Sequence, residues 1–312
     1  MEVSLLVVAF IIAALLHFGA QKLFIFYKRF DDFNQRSSHK TLATRTGGIG
    51  IFLTILIISL YYYFQGIELF DYSLFIPLGI MFVIGVYDDL YNADFKLKFL
   101  LQIIVAKILI DQGYVISNYH GLFGLYEVPW LIAQASTIFV FLVVVNAINF
   151  IDGIDGLAIT EVIKIIVILE FLSAEFTVLA PLGLLIVSSI VPLYYFNFKK
   201  KRKVFLGDGG SMLLGTLVMI YTLQTLSQDY NFSSDLKLNK TLFILIVLIY
   251  PLIDLLRVFI LRLKNGKSPF IADKRHIHHL VYKKIKTSFF STSLIFLLGI
   301  LIQIILIAAA VL

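Results

Sequence analysis

The sequence predicts an all-α fold: a polytopic membrane bundle of about ten transmembrane helices, forming one domain over residues 1–312. Three observations carry that expectation. The chain is 60% hydrophobic and only 15% charged, with a mean hydropathy of +0.93, whereas soluble domains are nearer half apolar and a quarter charged. Apolar runs approaching the ~20 residues that cross a bilayer recur from end to end. Basic residues gather in alternate connections between those runs.

The first run, 3–24, lacks a basic leading region and a clear small-residue cleavage site, so it reads as a retained helix rather than a signal peptide. Further spans are expected near 47–64, 73–88, 97–112, 130–149, 156–172, 177–196, 209–227, 241–263 and 287–311. The longest connections, roughly 20–25 residues, leave no room for a soluble domain. The first connection carries Lys28, Arg29, Arg36, Lys40 and Arg45, and the third carries Lys96. The seventh carries the run from Lys199 through Arg202 to Lys203, and the ninth carries Lys264, Lys267, Lys274, Arg275, Lys283 and Lys284. The alternate connections hold only Lys237 and Lys240. This asymmetry places the odd-numbered connections in the cytoplasm and both termini outside. Basic loops beside anionic lipid account for the net charge of +6 without nucleic acid. The absence of cysteine excludes disulfides and thiolate metal sites.

The stretches VYDDLYN, NFIDGIDGLA, VFLGDGGSM, ADKRHIHHL and RSSHKTLATRTGGIG all fall on the cytoplasmic side of this topology. Asp88 and Asp89 are adjacent at the end of the third span, Asp152 and Asp155 share a face if their segment is helical, and Asp208 opens a glycine-rich turn. Helix capping explains any one of these acids. Three clusters on one face are better explained by a hard cation, Mg²⁺ or Mn²⁺ in its place, held by carboxylates together with substrate phosphates. GDGGSM, where it opens a helix, offers backbone N–H groups to an anion. His276, His278 and His279, in a short loop with Lys274 and Arg275, add further donors, and no HExxH spacing argues for zinc. Together these groups point to phosphoryl chemistry on a lipid phosphate, in which catalysis is mostly positioning and charge neutralisation. Asp254 and Arg257, three apart in the ninth span, read as an intrahelical pair. Lys107 and Lys164 read as snorkelling or paired, and His17 as a packing residue.

The ordered set DDL, NFIDGIDGLA, FLGDGGSMLLG and HIHH resembles the polyprenyl-phosphate N-acetylhexosamine-1-phosphate transferases of glycosyltransferase family 4, relatives of the phospho-N-acetylmuramoyl-pentapeptide transferase, over residues 36–280. The resemblance implies transfer of a sugar-1-phosphate from a UDP-N-acetylhexosamine, UDP-N-acetylglucosamine first among them, to undecaprenyl phosphate, with release of UMP. It implies the bacterial cytoplasmic membrane, a lipid-linked envelope glycan downstream, and room for a homodimer. It further implies Asp208 as the Mg²⁺ ligand and Asp88 and Asp89 as the catalytic pair, Asp88 positioning or deprotonating the lipid phosphate. Lys98 then contacts nucleotide or phosphate, Asn149, Asp152 and Asp155 bind the nucleotide, and Phe205 stacks on uracil. His276, His278 and His279 take the diphosphate or sugar, with His39 and Arg45 in the substrate-binding set. Leu42 and Thr44 stand where the O-antigen and capsule branch carries prolines, and KKKRK replaces the usual proline-alanine before the glycine-aspartate segment. The rival reading is a secondary transporter with acids inside its spans. Transporter sites lie at the bilayer midplane between paired repeats, whereas here the acids crowd one surface.

Overall fold

An apolar chain in lipid must satisfy every backbone N–H and C=O within its own segment, so helix dominates. The computed structural model describes residues 3–30, 42–233, 238–266 and 275–311. In chain order its elements are α1 (Val3–Phe26), β1 (Ala43–Arg45), α2 (Gly47–Phe64), α3 (Phe75–Tyr91) and α4 (Phe95–Asp111). There follow β2 (Asn118–Leu122), β3 (Leu125–Glu127), α5 (Trp130–Ile151), α6 (Leu157–Phe171) and α7 (Ala180–Phe198). The chain ends with β4 (Lys203–Phe205), α8 (Gly207–Leu226), α9 (Lys240–Val247), α10 (Ile249–Lys264), α11 (Ile277–Ile285) and α12 (Ser288–Val311).

Among the described residues, seven helices are long and apolar enough to cross a membrane, or eight if α9 and α10 count as one broken span. This is a multi-pass membrane protein. The sequence expects ten spans; helices stand at all ten places, but α4 has 17 residues and α6 has 15. Asp254, Arg262 and Lys264 also make α10 the most one-sided of the longer helices, with Pro251, Asp254, Val258 and Arg262 as its buried residues.

The chain divides into two compact units, Met1–Ile108 with Phe176–Leu217, and Leu109–Glu175 with Val218–Leu312. In the first, α1 packs on α7 and α2. Pro192 lies inside α7 and removes one N–H from its ladder. One turn away the Ser189 carbonyl accepts from buried His17 Nε2 at 3.0 Å, which ties α1 to α7 and bears out His17 as a packing residue. β1 and β4 pair in parallel, Thr44 opposite Val204 and Arg45 opposite Phe205. The basic run before β4 is fastened to α1, because Gln21 Nε2 donates to Arg202 O at 2.5 Å and Gln21 Oε1 accepts from Lys199 Nζ at 2.9 Å.

In the second unit α5 packs on α10, while α12 packs on α6, α9 and α11. The expected straight span 241–263 is instead bent by 72° between α9 and α10. Pro251 is the physical reason. Its missing N–H would have bonded Val247 O four residues back, and its ring crowds that carbonyl, so the helix stops and restarts with Pro251 in the new first turn, where proline is tolerated. A carbonyl orphaned in hydrocarbon needs another donor. Gln303 of α12 supplies it, with Nε2 donating to Val247 O at 2.7 Å and Ile246 O at 3.4 Å. Gln303→Leu should therefore destabilise the protein by about 1–3 kcal/mol, the usual effect of stranding a buried acceptor. Thermal unfolding of the purified protein in detergent measures this, and an unchanged Tm would contradict the role given to Gln303.

Candidate active site

The first unit gathers one cluster at the end where α3 stops, α4 begins and α8 begins. Asp88 and Asp89 occupy the last turn of α3, which closes on left-handed Asn92 (φ 54°). Being adjacent on a helix, the two acids point in different directions, and each finds a different partner. The Asp89 carboxylate, 4% exposed, accepts the N–H groups of Asp208 and Gly209, both at 3.0 Å, and lies 3.4 Å from Arg45 Nη1. It is an N-cap delivered from another helix: Leu206, which precedes α8, has no side-chain acceptor, so Asp89 satisfies orphan donors of the first turn. Gly207 makes this approach possible, since its φ of +75° suits glycine and a Cβ there would lie 2.6 Å from Asp89 Oδ2.

Asp88 turns the other way. Lys98 Nζ, from the first turn of α4, donates to Asp88 Oδ2 at 2.7 Å and reaches Asp208 Oδ2 at 3.5 Å. The Asp88 and Asp208 carboxyls are themselves within hydrogen-bonding reach of one another. Two carboxylates that close carry more negative charge than one ammonium neutralises, and all three side chains remain partly exposed, at 14%, 30% and 23% for Asp88, Asp208 and Lys98. The pair can therefore accept a hard cation or a protonated partner. Among the described residues no group of three or more His, Cys, Asp or Glu is arranged to hold a metal by itself. Mg²⁺ usually takes one or two carboxylates plus substrate phosphates, and that donor set is what Asp88 and Asp208 provide. Arg45 and Phe205, the last residues of the β1–β4 pair, stand beside each other just before the two helix starts.

The second unit assembles the other motifs. α5 ends at Ile151, Asp152 occupies the C-cap, and Gly156 (φ +79°) leads into α6. Asp152 and Asp155 thus sit in a turn rather than on a shared helical face, because α5 stops at Ile151 and α6 starts only after left-handed Gly156. Both are half-buried, as is Asn149. Thr292 of α12 pins the turn by donating to Asp155 O at 2.8 Å. The HIHH segment, expected as a loop, instead opens α11: His276 is its N-cap and His278 and His279 lie in its first turn. The two motifs meet within this unit. The His276 ring lies 5.7 Å from that of Phe150, and His278 Nε2 faces Gly153 so closely that a Cβ there would collide with it. His276 and His278 stack at 5.4 Å, and His278 and His279 lie 4.2 Å apart. Burial pushes the His278 imidazole down to about 3, with His279 adding to the shift and Asp254 opposing it, so the ring is neutral at neutral pH.

The residue that sequence reasoning missed is Asp254. Its link to Arg257, at 3.5 Å, is the longest of its hydrogen bonds, whereas His276 Nδ1 is at 2.9 Å and Ile277 N at 2.7 Å. A buried acid in an apolar helix is itself a signal of function. Phe150, inside NFIDGIDG, is a second residue that spacing alone does not single out. Lys164 is paired, at 2.5 Å from Glu161. His39 lies outside the described residues.

Carboxylates and a lysine thus gather at a helix start cleared by glycine, in a multi-pass helical protein. The model of glycosyl transferase family 4 matches residues 71–226, half of the chain and the stretch that carries Asp88 through Asp208, and the protein belongs to that family. It is 28% identical over 293 residues to the undecaprenyl-phosphate alpha-N-acetylglucosaminyl 1-phosphate transferase of Salmonella typhi, covering 90% of this chain and 76% of that one. It is 29% identical over 280 residues to a Bacillus subtilis protein described as a probable undecaprenyl-phosphate N-acetylglucosaminyl 1-phosphate transferase, covering 88% and 75%. The Escherichia coli K12 transferase of the same kind is 29% identical over 282 residues, covering 84% and 73%. These matches give the transporter reading no support.

Proposed function

We propose that the protein transfers N-acetylglucosamine-1-phosphate from UDP-N-acetylglucosamine to undecaprenyl phosphate, releasing UMP, in the bacterial cytoplasmic membrane. The observation that carries this reading is the Lys98 ammonium held by Asp88 and Asp208, a charge arrangement suited to positioning and neutralising phosphates. The relatives' names supply the donor and acceptor. In the reaction an oxygen of the lipid phosphate attacks the β-phosphorus of the donor, the bond from that phosphorus to the oxygen bridging the α-phosphate breaks, and UMP leaves with that oxygen. Asp88 positions the lipid phosphate, while Lys98 offsets the charge of the incoming phosphates. Asp89 holds the start of α8 so that Asp208 stays beside Lys98. Bound Mg²⁺, with Asp208 and Asp88 as its protein ligands, would supply charge neutralisation on the diphosphate. In the second unit Asn149, Asp152 and Asp155 bind the nucleotide, and His276 and His279 bind the diphosphate or sugar, while His278, expected beside them, is fully buried against Gly153 and packs instead. In the first unit, Phe205 and Arg45 also bind substrate. The motif-bearing helix ends face the cytoplasm, in a topology of about ten crossings with both termini outside.

Purified full-length protein, Mg²⁺ and undecaprenyl phosphate, assayed for UMP release against a panel of UDP-N-acetylhexosamines, tests the reading. UDP-N-acetylglucosamine should be used with the highest kcat/KM. Release from no member of the panel would refute the proposed reaction, and preference for another hexosamine would refute the sugar.

A further inference from the structure

The roles proposed above leave Asp254 without a part, yet its carboxylate gathers several partners from beyond its own helix. It is fully buried, accepts from His276 Nδ1 at 2.9 Å and from Ile277 N–H at 2.7 Å, and lies 3.7 Å from His278 Nδ1. Arg257, 3.5 Å from Asp254 Oδ1, also donates to Arg275 O, so the approach to α11 is tied to α10 at three successive residues. An acid needed only to accompany Arg257 would not require these longer-range bonds. A carboxylate on one ring nitrogen of a histidine fixes the tautomer and aims the ring.

We infer that Asp254 is the positioning residue of His276: it holds the Nδ1–H, so that Nε2 is the ring atom presented to the donor's diphosphate, and through Ile277 N–H it sets the first turn of α11. The second part of this inference rests on the diphosphate-binding role proposed for His276; the hold on Nδ1 does not.

Two measurements test it. In full-length protein labelled with ¹⁵N-histidine and held in lipid nanodiscs, His276→Asn identifies the His276 signals among the six histidines. Nδ1 of His276 should carry a proton, with a pyrrole-type shift; a bare, pyridine-type Nδ1 would overturn the inference, whether or not the protein turns over UDP-N-acetylglucosamine. The second is a double-mutant cycle on kcat/KM. Asp254→Asn alone should lower it about 10- to 100-fold, and His276→Ala alone about 100-fold. Added to His276→Ala, Asp254→Asn should lower it less than about threefold further, because residues that act as a unit do not add. If the two effects multiply in full, Asp254 acts independently of His276 and the inference fails; it also fails if Asp254→Asn leaves kcat/KM unchanged. A wild-type protein that releases no UMP would refute the proposed reaction, while the nitrogen shifts still decide the hold of Asp254 on His276.

Discussion

Asp208→Asn is expected to lower kcat about 10³-fold while leaving the fold in place. The start of α8 is held by the Asp208 and Gly209 backbone N–H groups on Asp89, and the substitution touches neither. The Asp208 side chain faces Lys98 Nζ at 3.5 Å and is 30% exposed, so the fold does not depend on its charge. Asparagine keeps the shape and removes the negative charge, which leaves Lys98 paired with Asp88 alone at 2.7 Å. What is lost is one of the two carboxylates that would share a cation with substrate phosphates. Steady-state UMP release together with a thermal melt separates the outcomes. A large fall in kcat with an unchanged Tm is the expected result, and activity within a few-fold of wild type would remove Asp208 from the chemistry.

Gly85→Val should inactivate the protein by a different route. Gly85 lies one turn before Asp89 on α3, where a Cβ would collide with the Asp208 carbonyl and come within 2.6 Å of Gly209 Cα. These are backbone atoms and cannot swing aside as a flexible side chain would. A valine must therefore push the start of α8 away from α3. That motion breaks both N–H bonds to Asp89 and draws Asp208 away from Lys98. Overpacking of this kind typically destabilises by about 1–3 kcal/mol, and loss of the cap adds about 1 kcal/mol. The variant should melt at lower temperature and lose UMP release together. A Gly85→Val protein with wild-type Tm and rate would show that the close approach of α3 and α8 does not matter.

Much of this architecture was legible in the amino acids. The helices lie where apolar runs approach bilayer length, because that signal is local and long. The acid motifs were also legible, since aspartate and glycine stand out against hydrocarbon-like sequence. Tertiary choices were less so. β1 and β4 are three-residue strands about 160 residues apart, too short for any period to show and too distant for any local rule to pair. Asp254 was read against its neighbour Arg257 because spacing identifies partners on one helix, while its principal partner, His276, arrives from 22 residues away. The bend at Pro251 could have been read, because proline inside a helical pattern marks a break. What answers that break, Gln303 on another helix, could not. The NFIDGIDGLA turn shows the same division: its two glycines announce the end of a helix, but the packing of His278 on Gly153 and of Thr292 on Asp155 belongs to the fold alone.

Under the proposed reaction a phosphate, and not the sugar alone, moves at the Asp88–Lys98–Asp208 cluster. Donor labelled with ³²P at the β-phosphate tests it most directly, in a reaction of purified full-length protein with Mg²⁺ and undecaprenyl phosphate. The label should pass into the lipid fraction in step with UMP release, and Asp208→Asn should suppress both. Label retained in a water-soluble nucleoside diphosphate, with the sugar alone in the lipid, would refute the proposed transfer.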